Sequence, residues 1–184
     1  MKTCLAFDPA PNGYAYAVSS YDGRAFTLVD SGERAGTRTE LRAHIRTLVD
    51  THAPTITAVE GVAGFISAAR QSRQRSPNWD ISDLVQTAVT AGFLQGVLLG
   101  MTRAAPFTLP ANNAGRRPSW RAHLTRDHRA GDKEVAHALN FHLRGGLPVK
   151  ARKADGTVHA YAISNHVRDA LGLAVVATLT GTGA

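Results

Sequence analysis

Three acidic residues stand where the surrounding sequence makes a carboxylate costly. Asp8 ends an apolar run near the N-terminus, and Glu60 ends a second apolar run. Asp169 lies between apolar residues, three positions after His166, so both side chains would project from one helical face. Clustered carboxylates repel one another unless cations offset their charge. Carboxylate oxygens suit Mg²⁺ or Mn²⁺, and a neutral imidazole fits Mn²⁺. A pair of such ions can stabilise the attacking and leaving oxygens of a phosphoryl transfer.

Each of these residues also has an ordinary structural explanation. Asp8 could cap a strand end or a turn, Glu60 could form a salt bridge, and His166 could lie on the surface where a helix begins. The joint pattern is harder to explain in this way than any single member. The four residues together therefore favour a metal-dependent site.

The elements that must position these residues follow from the hydrophobic pattern. Five strands are predicted, at residues 3–8, 14–20, 25–30, 55–60 and 106–109. Five helices are predicted, at residues 38–52, 81–101, 118–125, 132–143 and 164–180. Thr37 and either Ser164 or Asn165 are the expected N-caps of the first and last helices. Residues 145–157, rich in Gly and Lys, are expected to form a loop.

The order of these elements predicts an α/β fold with a five-stranded mixed sheet flanked by helices. The length of 184 residues suits one domain, residues 1–184. If the first and fourth strands are neighbours, Asp8 and Glu60 emerge at the same edge of the sheet. A helix packed on that face can then present Asp169 to them.

Composition excludes several classes of protein. The chain is 43% hydrophobic and 19% charged, as in an ordinary globular domain. The net charge of +7 suggests a polyanionic partner, with nucleic acid first and an anionic membrane second. A single cysteine, Cys4, excludes an intramolecular disulfide and a cysteine-based zinc cluster. The apolar stretches look too short to span a bilayer, so we expect a soluble, cytoplasmic protein without a membrane partner.

Three motifs together resemble the RuvC family of Holliday-junction resolvases, in the RNase H-like/retroviral integrase superfamily. They read CLAFDPAPNGYAYAV, ITAVEGV and SNHVRDALGLAVV. Between them, LVQTAVTAGFLQGVLL is similar to the family's dimer-side helix and GDKEVAHAL to its Lys-bearing helix. The chain departs from the family at Ala10, where Gly is usual, and at Ala63, where Phe is frequent and Phe65 is the nearest aromatic residue.

The resemblance implies an RNase H-like fold and a metal-dependent endonuclease of DNA recombination and repair. Asp8, Glu60, His166 and Asp169 match the family's four metal-binding catalytic positions, which hold two Mg²⁺ ions per site, with Mn²⁺ as a substitute. The expected activity is nicking of four-way junctions and other branched DNA by phosphodiester hydrolysis. The expected assembly is a homodimer, in bacterial cytoplasm or as a phage protein in its host.

Basic residues flank the proposed site. In the resemblance, Lys133 matches a basic residue of the family near the scissile strand. Arg116 or Arg117 corresponds to a second basic residue of the family. The residues expected to contact DNA are Phe65, Arg70, Arg73, Arg75, Arg116, Arg117, Arg121 and Lys133. Arginine outnumbers lysine, which fits bidentate phosphate binding but fits a GC-rich genome equally well. Phe65 and Trp79 could stack on bases or pack in the core, and Trp120 is expected in the core.

Three other functions compete with this one. A sugar-kinase or actin-like ATPase needs a Gly-rich phosphate loop after the first Asp. This chain has Pro9-Ala10-Pro11-Asn12 there, and its two prolines lack the backbone N–H groups that bind phosphate, which argues against this class. A junction-binding protein without cleavage and a nuclease with broader flap or fork substrates stay open.

The helix 81–101 is the expected dimer interface. The positions expected to face the partner are Leu84, Val85, Ala88, Ala91, Leu94 and Gln95.

Overall fold

A mixed five-stranded sheet forms the centre of the protein. The structure is a computed structural model that describes residues 1–61, 81–110, 119–127, 129–154, 156 and 158–181. The strands are β1 (Lys2–Ala10), β2 (Gly13–Tyr21), β3 (Phe26–Ala35), β4 (Ile56–Gly61) and β5 (Phe107–Pro110), in the spatial order β3-β2-β1-β4-β5. The first three strands pair antiparallel, whereas β4 runs parallel to β1 and β5 parallel to β4. The predicted five-stranded mixed sheet is confirmed.

Helices cover both faces of this sheet. They are α1 (Arg38–His52), α2 (Ile81–Thr102), α3 (Trp120–Thr125), α4 (Asp132–His142) and α5 (Asn165–Thr180). Thr37 caps α1 through a capping box with Glu40, and Ser164 caps α5 by accepting from the backbone N–H of Val167. Both predicted N-caps are therefore confirmed.

The central strand β1 is buried on both faces, and its side chains alternate between two clusters. Leu5 and Phe7 pack with residues of α1 and α2. Cys4 and Ala6 pack with residues of α3, α4 and α5. On β4 the same alternation places Val59 in the first cluster and Ala58 in the second. Even-numbered residues of β1 and β4 thus face α5, which decides where Asp8 and Glu60 point.

A second, two-stranded sheet is formed by the segment that connects α4 to α5 in the chain. Its strands are β6 (Val149–Arg152) and β7 (Val158–Tyr161), which pair antiparallel. The prediction of a loop over residues 145–157 is therefore wrong at β6. The alternation of side chains in β6 extends over four residues only: Val149 and Ala151 are half-buried, and Lys150 and Arg152 are exposed. An alternation of this length, within a Gly- and Lys-rich segment, is too short to predict a strand.

Helix α2 is the most apolar of the helices. Its segment Ser82–Thr102 has a mean hydropathy of 1.5 and could cross a membrane by length and composition, so the expectation that no stretch is long enough is wrong here. A single such helix is weak support for a membrane span, because packed helices of soluble proteins satisfy the same criterion. One side of α2, which includes Ala91, Leu94 and Leu98, is buried against the sheet.

Candidate active site

Two acids meet at one edge of the sheet face that α5 covers. The last paired residues of the parallel β1–β4 ladder are Phe7 and Val59, and Asp8 and Glu60 each follow by one position. Both acids lie on the α5 side because their side chains alternate with those of Phe7 and Val59. Both are buried, with 7% of Asp8 and 3% of Glu60 exposed. The fold therefore brings two of the predicted site residues together.

Helix α5 presents the other two predicted residues to this edge. The Ser164 cap starts the helix directly before His166, and Asp169 follows one turn later on the same face. Nδ1 of His166 and Oδ2 of Asp8 are 2.7 Å apart, a hydrogen-bonding distance. The side chain of Asp169 is mostly buried, whereas two thirds of the His166 side chain is exposed. His166 therefore links the buried acids to the surface.

Burial and like charge act together on the acids. Burial raises the pKa of Glu60 well above its ordinary value, and the charges of Asp8 and Asp169 raise it further. Burial also raises the pKa of Asp169, although Arg121 opposes this effect. The hydrogen bond to Asp8 raises the pKa of His166 in spite of partial burial. The cluster thus carries more negative charge than its surroundings favour, and a cation would stabilise it.

Trp120 contacts this cluster, a role that the sequence did not predict. Its indole is fully buried, which confirms the expected core position, and Nε1 donates a hydrogen bond to Oε2 of Glu60 at 3.1 Å. A buried indole N–H needs an acceptor, but the sequence does not say which acceptor it finds. Trp120 therefore orients the Glu60 carboxylate as well as filling the core.

Arg121, expected to contact DNA, contacts acids of this chain. Its Nη2 donates to Oδ2 of Asp169 at 2.5 Å, and its Nη1 donates to Oδ1 of Asp132 at 3.1 Å. Only 18% of the Arg121 side chain is exposed. The adjacent pair Trp120 and Arg121 at the start of α3 therefore reaches two of the four predicted site residues. A contact between Arg121 and DNA stays a prediction.

The other residues expected to contact DNA are placed only in part. Lys133 is exposed in the first turn of α4 and lines a groove of about 750 Å³ between α3 and α4. The predicted contacts that lie outside the described residues are Phe65, Arg70, Arg73, Arg75, Arg116 and Arg117, together with the aromatic Trp79.

The donor set suits a divalent metal in type, although its atoms are engaged with other partners. Within the described part of the chain, no group of three or more His, Cys, Asp and Glu side chains is arranged to hold a metal ion. Asp8 contacts His166, Glu60 accepts from Trp120, and Oδ2 of Asp169 accepts from Arg121. The other oxygen of Asp169, Oδ1, is buried without a hydrogen-bond partner among the described residues. The three carboxylates, one of them with this unpartnered oxygen, are the ligand type that Mg²⁺ and Mn²⁺ take, and the imidazole suits Mn²⁺.

Comparison with solved structures identifies the fold. T. thermophilus RuvC in complex with a Holliday junction substrate is similar with a TM-score of 0.63 and 16% sequence identity, over 98% of this chain and 95% of that chain. The Thermus thermophilus RuvC structure is similar with a TM-score of 0.65 and 13% identity, over 98% and 96%. No protein-family model matches the sequence, and no curated protein matches it. The chain therefore has the RNase H-like fold of RuvC, as its motifs predict.

Proposed function

We propose that this protein is a divalent-metal-dependent endonuclease that nicks Holliday junctions and other branched DNA. The observation that carries the proposal is the convergence of Asp8, Glu60, Asp169 and His166 at one sheet edge. The same fold occurs in a RuvC that was solved with a Holliday junction substrate. Fold alone does not define an activity, so the proposal depends on these four side chains.

The site residues divide two tasks in the proposed hydrolysis, metal binding and handling of a proton. Asp8, Glu60 and Asp169 would hold the metal, with two Mg²⁺ or Mn²⁺ ions per site as the resemblance implies. When bound, such ions stabilise the attacking and leaving oxygens of phosphodiester hydrolysis. Asp8 accepts from Nδ1 of His166, which fixes the ring and leaves Nε2 as the nitrogen for a ligand or for the proton of the attacking water.

A cleft beside the site offers room for a DNA strand. It has a volume of about 540 Å³, and its lining includes His166, Arg34 and the turn from Pro11 to Gly13. Exposed basic residues lie on elements close to the site in sequence: Lys133 on α4, and Lys150 and Arg152 on β6, ahead of the His166 helix. We propose that these residues bind phosphates of the junction arms, which positions the DNA without reading its sequence.

Two nicks in one junction require two sites. A four-way junction has two equivalent strands to cut, and one chain supplies one acidic cluster, so we propose a homodimer with two-fold symmetry. Two of the six expected interface positions, Ala91 and Leu94, are buried inside the chain because they face β1. Among the described side chains of α2, the exposed large apolar residues are Val85, Val89 and Leu99. They recur at helical spacing and form the face that we assign to the partner.

The second candidate function is a branched-DNA binding protein that does not cleave. It is favoured by one observation, the engagement of Asp8, Glu60 and Asp169 with other side chains. The two candidates differ in whether metal addition produces a nick, so one assay separates them.

The deciding experiment is metal-dependent cleavage of a synthetic four-way junction, with flap, fork and duplex substrates in parallel. Wild-type protein should nick the junction symmetrically with Mg²⁺ or Mn²⁺ and leave it intact in EDTA. Asp8→Asn should abolish nicking and retain junction binding, since it removes one negative charge near DNA and keeps the side-chain shape. Asp50→Asn, the same change at an exposed position of α1, is the matched control and should cut normally. Wild-type protein that binds junctions in Mg²⁺ without nicking them would establish the second candidate instead.

A further inference from the structure

Arg121 lies between two carboxylates that belong to different parts of the site. One arm of the guanidinium contacts Asp169 on α5, inside the acidic cluster, and the other contacts Asp132 at the start of α4, outside it. Charge-assisted hydrogen bonds of this kind are stronger than neutral ones. The guanidinium also lies over the indole of Trp120, with 5.3 Å between Cζ and the ring centroid. Arg121 is thus held by contacts with Asp169, Asp132 and Trp120.

Asp132 contacts the guanidinium of Arg121 from outside the acidic cluster. Its two carboxylate oxygens form ion pairs with two different arginines: Oδ1 with Arg121 at 3.1 Å and Oδ2 with Arg168 at 3.2 Å. The Asp132 side chain is half-exposed, whereas both arginine side chains are largely buried. The contact with Asp132 is independent of the acidic cluster, so it can persist if the contact with Asp169 is lost.

The contact with Asp169 places a positive charge where a divalent ion would bind. The Arg121 charge stabilises the ionised forms of both Asp169 and Glu60. The same carboxylate of Asp169 has its other oxygen buried and unpartnered. A metal that takes Asp169 as a ligand must share this carboxylate with the guanidinium or replace it.

We propose that Arg121 is a resident cation of the acidic cluster, which releases Asp169 when a divalent metal binds and is retained by Asp132. Arg121 is in this sense a positioning residue: its ion pair holds the Asp169 carboxylate in place before the metal arrives. The inference rests on the proposed function, because it takes the cluster to be a metal site. It predicts that Arg121 competes with the metal, whereas a purely structural ion pair would not.

The test measures Mn²⁺ binding to the free protein by calorimetry, without DNA, together with the melting temperature in EDTA and in Mn²⁺. Arg121→Gln should bind Mn²⁺ roughly tenfold more tightly, the factor that corresponds to 1.4 kcal/mol. In EDTA its melting temperature should fall by about 3–10 °C, and saturating Mn²⁺ should restore most of that loss. Arg129→Gln, an exposed arginine in the segment that follows α3, is the matched control and should change neither value.

A double-mutant cycle separates competition from a general effect of charge. Asp132→Asn removes the carboxylate that retains the displaced guanidinium, so it should weaken Mn²⁺ binding by about threefold. In the Arg121→Gln background the same change should have no effect on Mn²⁺ binding, because no Arg121 guanidinium is left to retain and Asp132 then pairs with Arg168 alone. An equal effect of Asp132→Asn in both backgrounds would overturn the retention by Asp132.

Three further outcomes decide the inference. Unchanged or weaker Mn²⁺ binding by Arg121→Gln, with wild-type protein that binds Mn²⁺ and nicks junctions, overturns the role of Arg121 and leaves the proposed function standing. Wild-type protein that neither binds Mn²⁺ nor nicks junctions overturns both.

If Arg121→Gln does not fold, Arg121→Lys keeps the charge but loses the planar fork. That variant should bind Mn²⁺ about twofold to threefold more tightly than wild type, and unchanged or weaker binding contradicts the competition.

Discussion

Gly172 lies against the indole of Trp120. A Cβ atom at position 172 would stand 2.4 Å from Cζ3 of Trp120, a distance too short for any packed pair of carbons. Gly172 is three residues after Asp169 on the same helix, and Nε1 of Trp120 donates to Glu60. The absence of a side chain at 172 therefore permits the contact that orients Glu60.

Gly172→Ala should destabilise the protein by about 1–3 kcal/mol, because the added methyl group must displace a buried indole. Helix propensity alone predicts the opposite sign, since Ala is favoured over Gly in a helix by about 1 kcal/mol. Denaturant unfolding followed by tryptophan fluorescence measures the difference. Gly100→Ala is the matched control, because its added Cβ would meet no described atom within 4 Å beyond the adjacent residues and the backbone of its own helix, and it should stabilise the protein slightly. A stabilised Gly172→Ala variant would contradict the packing described here.

Glu60→Gln should stabilise the protein in EDTA at neutral pH. Burial and the charges of Asp8 and Asp169 raise the pKa of Glu60, so the ionised form is less stable in the folded than in the unfolded chain. The contribution of Glu60 to stability is therefore fully present below its unfolded pKa and is lost as pH rises through its folded pKa. Gln keeps an oxygen for Trp120 and removes the charge. Thermal melts between pH 5 and pH 8 should show a smaller loss of stability with rising pH in the variant, and parallel curves would contradict this assignment.

Much of this site could be predicted from the sequence because strand periodicity carries the information. Asp8 and Glu60 end apolar runs, and parallel neighbours place strand ends at one edge. The contacts of Trp120 and Arg121 could not be predicted, since they depend on how the six-residue helix α3 packs against α4 and α5. The strands of the β6–β7 hairpin were hidden for a related reason, because each has only four residues. Local patterns therefore predict the long elements, and tertiary packing decides the short ones.

His166→Asp should retain cleavage and move its pH dependence. The hydrogen bond to Asp8 raises the pKa of His166 above its ordinary value of 6.5, so the protonated ring persists to higher pH. A protonated ring can neither bind a metal nor accept a proton, so wild-type activity should rise with pH through that raised pKa. An Asp at this position is ionised over the same range. Initial nicking rates from pH 5.5 to 9 measure both profiles, and an unchanged acidic limb in the variant would assign that limb to another group.

Neutralising basic residues near the site should reduce the salt dependence of junction binding. Lys133 and Arg152 are exposed, and each phosphate contact contributes about 0.9 to the slope of log K against log salt. The variant Lys133→Gln/Arg152→Gln should therefore lose up to about 1.8 from that slope, measured by fluorescence anisotropy. Arg42→Gln/Arg46→Gln, on α1 at the opposite face of the sheet, is the matched control and should retain the wild-type slope. Equal loss in both variants would show that the DNA contacts are not confined to the α4 and β6 side.

Val89→Glu should weaken the dimer and uncouple the two nicks. Val89 is 52% exposed on the apolar face of α2, and a carboxylate there would have to be desolvated in a helix–helix interface. Val29→Glu is the matched control, because Val29 on β3 has the same exposure and lies outside the proposed interface. Sedimentation equilibrium should show dimers for wild type and Val29→Glu and monomers for Val89→Glu at the same concentration.

A cruciform plasmid then reports the nicks, since coupled nicking yields linear DNA and independent nicking accumulates open circles. Wild-type protein that sediments as a monomer at micromolar concentration, with and without junction DNA, would refute the interface and leave the acidic cluster as the site of a simple nicking nuclease.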